Sequence, residues 1–182
     1  MMRVGAIFKN VFTEPKKPIE VVSKREIERR VKTNTVLIDP KVMAKLFKFF
    51  ISRGNVEGAS ILRGQISGEY LLILDTLNCN TSVGSFANAE AGIKYFNKAS
   101  EIDDGNYVVG LAHSHVGEIP VFMSGTDQTT QKDFQSMFPD AVSLVMNPFT
   151  TDGISFKFYR FDGEQIKELT YGYLRDEDEK SI

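Results

Sequence analysis

Two strand-like runs, Ala59 to Ile66 and Tyr70 to Leu77, are separated only by Ser67-Gly68-Glu69. A connection that short reverses the chain, so the two runs must pair antiparallel as a hairpin. Around the hairpin, strands and helices alternate. Val36-Leu37-Ile38 reads as a short strand, and Asp39-Pro40 supplies a helix cap followed by a first helical residue. Val42, Leu46, Phe49 and Phe50 recur at helical spacing until Gly54, which predicts a helix over 40–53. Ala89, Ile93, Phe96 and Ala99 predict a second helix, ending ahead of Asp103-Asp104-Gly105. Tyr107 to His113 reads as a buried strand. A third helix is expected from Ser124 to Phe138, with Pro139 helping to stop it. Further strands are expected at Ala141 to Met146 and Ile154 to Phe161, with a short one at Ile166 to Leu169. Cys79 to Asn88, which contains Gly84, reads as a loop.

Interleaved helices and strands, with hairpins among the strands, favour a mixed β-sheet flanked by helices over a purely parallel one. The expected class is α/β (α+β), as a single domain over 36–170. A Lys-, Arg-, Glu- and Pro-rich arm precedes it over 1–35. The charged tail over 171–182 buries too little apolar surface to be expected to order.

Composition narrows the function classes. Of 182 residues, 42% are apolar, enough for a core, and 22 basic against 24 acidic side chains leave a net charge of −2. A chain so nearly neutral projects no overall field toward nucleic acid or an anionic membrane. No run approaches the roughly 20 apolar residues of a membrane helix. The apolar start of the chain is cut short by Lys9, too early for a signal segment. Cys79 is the only cysteine, which excludes an internal disulfide framework and fits a reducing cytoplasm.

His113 and His115 are the chain's only histidines. Side chains two apart on an extended segment share a side, so both imidazoles can face one metal ion while Ser114 points away. They end the apolar run Val108-Val109-Gly110-Leu111-Ala112, where a strand leaves the core. Catalytic zinc usually takes three protein ligands and keeps a fourth position for water. Asp127, in the first turn of the third helix, is the natural third ligand. Ser124-Gly125-Thr126-Asp127 equally matches a capping box, in which the acid serves the helix rather than a metal. A hydrogen-bonded structural pair is likewise the alternative reading of the two histidines.

The pattern His113-Ser114-His115 followed by Ser124-Gly125-Thr126-Asp127 resembles the signature of the JAMM or MPN+ metalloproteases. Val108 to Ala112 before it, and Thr129-Thr130-Gln131 and Ala141 to Pro148 after it, look most like the deubiquitinase branch of the proteasome lid. The order of elements from Val36 to Phe161 agrees. Val116 stands where that family usually has Pro, and eight residues rather than seven precede Ser124, which predicts a bulge near Gly117 or Pro120. By resemblance, Glu57 is the general base, with Ser60 and Gly64 at the family's two glycine positions; the residues alone leave Glu57 an ordinary surface carboxylate. The resemblance implies one zinc ion on His113, His115 and Asp127, and Ser124 stabilising an oxyanion. It also implies an isopeptidase that removes ubiquitin or a ubiquitin-like modifier from lysine, with the modifier's tail bound beside 79–88. Proteasome or MPN-domain partners and a dimer belong to the same implication. The alternatives are a noncatalytic MPN scaffold and a peptidase acting on another small-protein precursor.

Overall fold

The computed structural model describes residues 35–82, 89–151 and 153–175. The charged arm up to residue 34, residues 83–88 of the expected loop and the tail from residue 176 lie outside the described residues. Among the described residues, seven strands and three helices follow in the order β1 (Thr35–Ile38), α1 (Pro40–Arg53), β2 (Gly58–Ser67), β3 (Tyr70–Ser82), α2 (Ala89–Ser100), β4 (Tyr107–Ser114), α3 (Gly125–Met137), β5 (Val142–Thr150), β6 (Gly153–Asp162) and β7 (Gln165–Tyr173).

Local chemistry accounts for the element boundaries. The Asp39 carboxylate accepts the Lys41 amide at 2.7 Å, Pro40 opens α1, and Gly54 closes it at φ 61°. The β2–β3 hairpin turns at Gly68, also at positive φ, where a side chain would be strained. β3 continues to Ser82, so its last part takes up residues expected in a loop.

The strands close into a barrel in the order β1-β3-β2-β4-β5-β6-β7, which corrects the expected helix-flanked mixed sheet. The closing strand is β1. It pairs in parallel with β3 on one side and with β7 on the other, so the edges an open sheet would present are joined. β7 is correspondingly longer than the short strand expected, and Leu174 adds a backbone bond to Ile38.

The helices do not share the work evenly. Val42, Met43, Leu46, Phe47 and Phe50 of α1 join one apolar cluster with residues from all seven strands, so α1 belongs to the main core. α2 and α3 cover a second cluster built on Ala59, Ile61, Val108 and Leu111, on β2 and β4. The close approach of β2 to β3 is set by Gly64, whose added Cβ would meet the Leu72 carbonyl oxygen at 1.8 Å.

Candidate metal centre

β4 carries Leu111 into the second cluster, and two-residue alternation puts His113 on the same face at the end of the strand. His115 follows immediately, its amide bonded to the Met146 carbonyl at 2.8 Å. The two imidazole rings are 5.3 Å apart between centroids. α3 begins beside them. Ser124 caps it through a full capping box, its hydroxyl accepting the Asp127 amide at 3.2 Å while Asp127 Oδ2 accepts the Ser124 amide at 2.8 Å.

The capping role therefore does not compete with a ligating one; it aims the carboxylate. Asp127 Oδ2 stands 3.5 Å from His113 Nε2, and one donor atom from each of His113, His115 and Asp127 lies within 4.8 Å of the others. Ligands held about 2.0–2.1 Å from zinc at the tetrahedral angle stand about 3.3 Å apart, so the His113–Asp127 spacing suits a shared ion. Among the described residues, His113 Nε2 is buried and has no hydrogen-bond partner, which is costly for a polar atom unless something else occupies it. Burial lowers the His113 pKa to about 4, and His115 adds to that fall while Asp127 opposes it, so the ring is neutral at pH 7 with a lone pair to give. His115 Nδ1 lies 2.7 Å from the Pro120 carbonyl. A carbonyl only accepts, so Nδ1 carries the proton and Nε2 is left to ligate.

The loop from Val116 to Met123 is built to present that carbonyl. Gly117 turns it at φ 58°, close to where the extra residue was expected to bulge. Asn147, fully buried at the end of β5's apolar run, donates from Nδ2 to the Gly117 and Ile119 carbonyls at 2.8 and 2.7 Å. Tyr159 donates to the Val121 carbonyl, and Gln128 to that of Met123. Phe122 packs edge-on against His115 at 5.3 Å and remains 46% exposed, forming part of the rim. Sequence reading passed over Asn147. A polar residue directly after Ala141 to Met146 was the available signal.

Glu57 lies just before β2 and is partly buried. Burial is the largest influence on its carboxyl and raises the pKa; His115 pulls the other way, and the Asp127 charge adds to the rise. Interaction with both groups puts Glu57 within electrostatic reach of the cluster. Ser60 is not at the centre. It is buried in a hydroxyl and carbonyl network with Thr76, Leu77 and Asn78. Cys79 is buried, and desolvation pushes its thiol up to about 12, so it is no nucleophile.

No protein-family model and no curated protein matches the chain. Among solved structures it is similar to protein DSY2949 from Desulfitobacterium hafniense, determined in solution, with 16% sequence identity and a TM-score of 0.58 over 78% of this chain and 94% of that one. At that identity the likeness concerns the fold alone. The JAMM or MPN+ resemblance, including its proteasome-lid deubiquitinase branch, is thereby corrected: no family model carries it, and the strands form a closed barrel instead of the expected helix-flanked sheet. His-x-His followed by Ser-x-x-Asp requires only a strand end facing a capped helix, a local arrangement that does not define a family.

Proposed function

We propose that this protein is a zinc-dependent hydrolase of amide bonds. The observation that carries the reading is the buried His113 Nε2, without a hydrogen bond among the described residues, converging with His115 and Asp127 as a three-ligand set that leaves a position open. Zinc held there would supply Lewis acidity and lower the pKa of a water from about 15.7 to near 7. Glu57 takes the proton from the attacking water and returns one to the leaving amine. Ser124 Oγ already accepts from the Asp127 amide, which leaves its O–H free to donate to a developing oxyanion. Phe122 keeps one side of His115 apolar.

The reading extends to removal of ubiquitin or a ubiquitin-like modifier from lysine, in the cytoplasm and in association with the proteasome. What supports this extension is the likeness of His113-Ser114-His115 and Ser124-Gly125-Thr126-Asp127 to an isopeptidase motif, and not the fold. Among the described residues, no helix is long and apolar enough to cross a membrane.

The test combines elemental analysis with cleavage of a modifier–lysine isopeptide and of a linear peptide, before and after chelation. The expected result is one zinc per chain, turnover lost with chelator and restored by zinc. Protein that takes up zinc stoichiometrically yet cleaves neither substrate would refute the enzymatic reading. Asn147→Ala should leave the fold intact but release the loop that orients His115, weakening zinc by about 10-fold or more. Competition against a chelating indicator measures this; an unchanged affinity would show that the loop holds its place without Asn147.

A further inference from the structure

Ser114 stands between the two histidines, turned from their face by strand alternation, and is fully buried. Its Oγ accepts a hydrogen bond from the Gly58 amide at 2.9 Å. The last residue pair of the β2–β4 ladder is Ala59 with His113. The Gly58 amide therefore lies where the ladder has ended, and the Ser114 side chain takes the place of a backbone acceptor. Gly58 is held from a second direction as well. A Cβ there would fall 2.8 Å from Phe50 Cδ1 and 3.1 Å from Arg53 Cγ, so the backbone is seated against α1 where only hydrogen fits. On the β3 side Gly58 stays paired with Ser82 while Ala59 pairs with Cys79, so the β2–β3 register slips at the point where β2 leaves β4.

Glu57 is the residue that emerges from this clamp. We propose that Ser114 is a positioning residue for Glu57: by holding the Gly58 amide it fixes where β2 leaves β4, so one tripeptide carries two metal ligands and sets the general base. Ser114 touches neither the metal nor the substrate in this scheme. The proposal rests on the hydrolase reading and deepens it.

The test uses the full chain with Ser114→Ala and Ser114→Thr, the second restoring an oxygen acceptor. Four quantities are read: zinc affinity by indicator competition, kcat and KM on the substrate the parent cleaves, Gly58 amide hydrogen exchange, and the response of the Glu57 carboxyl carbon signal to zinc. For Ser114→Ala, affinity and KM should stay within about twofold of the parent while kcat falls roughly 10- to 100-fold, as for a misplaced catalytic group. Gly58 exchange should accelerate, the zinc response of Glu57 should be lost, and Ser114→Thr should recover both. Parent-like kcat despite fast Gly58 exchange would overturn the proposal, as would zinc affinity falling in step with kcat. If the parent cleaves nothing, the hydrolase reading fails by itself. Ser114 is then judged on the Glu57 signal: a zinc response unchanged in Ser114→Ala overturns its role, and a lost one supports it. Should Ser114→Ala not fold, Ser114→Cys reads the same quantities at smaller amplitude, because sulfur is a weaker acceptor.

Discussion

Glu57→Gln should bind one zinc per chain and lose roughly 10²- to 10⁴-fold in kcat, the usual contribution of a positioned general base. The substitution keeps shape and hydrogen bonding but removes the ability to hold a proton. His113→Ala should lose the metal and turnover together, because it removes a ligand from a three-ligand set. The contrast separates base from ligand. Full activity in Glu57→Gln would reject the assigned base while leaving the metal centre standing.

Stability supplies an independent reading of the same substitution. Burial raises the Glu57 pKa in the folded protein, so its contribution to stability is present below its unfolded value and is lost as pH rises through the folded one. Once ionised, the carboxylate therefore destabilises the metal-free fold. Metal-free Glu57→Gln should melt no lower than the parent at pH 7, as expected where a site trades stability for function.

The second large effect concerns Arg63. Its side chain is fully buried on β2, with Nη2 2.6 Å and Nη1 2.9 Å from the Asp104 carboxylate, and Nη1 3.3 Å from Asp75. Nη2 also donates to the Ile102 and Asn106 carbonyls, so one guanidinium ties the β2–β3 hairpin to the turn that feeds β4. Arg63→Ala should cost about 3 kcal/mol, at the low end for breaking a buried ion pair because both carboxylates keep some contact with water. Urea denaturation checks this: the midpoint should fall with little change in slope. A midpoint within error of the parent would mean that the turn is held by its backbone alone. The fan of bonds from a planar guanidinium also explains why Lys would be a poor replacement.

Features encoded within a few neighbouring residues were legible in the sequence. Asp39-Pro40 and Gly54 bounded α1, Gly68 turned the hairpin, and Ser124 with Asp127 capped α3, because each is a bond or a backbone angle set over two to four residues. The histidine pair was legible for the same reason, since alternation on an extended strand is a local rule. Barrel closure was not. It depends on β1 pairing with β7, which brings Thr35 opposite Thr170, and the periodicity of a four-residue strand does not name its partners. The long β3 and β7 were underestimated because pairing, more than local propensity, sustains a strand.

The sequence by itself determined the helix caps, the hairpin turn and a pair of histidines able to share a ligand. Only the tertiary structure decided that α3 begins beside the end of β4, which turns a helix cap into a third donor next to His113. It alone showed the Ser114–Gly58 bond and the hold of Asn147 on the Pro120 loop. The physical reason is common to all three: each joins groups far apart in the chain, and side-chain chemistry cannot specify such a meeting until the sheet register has fixed which residues stand side by side.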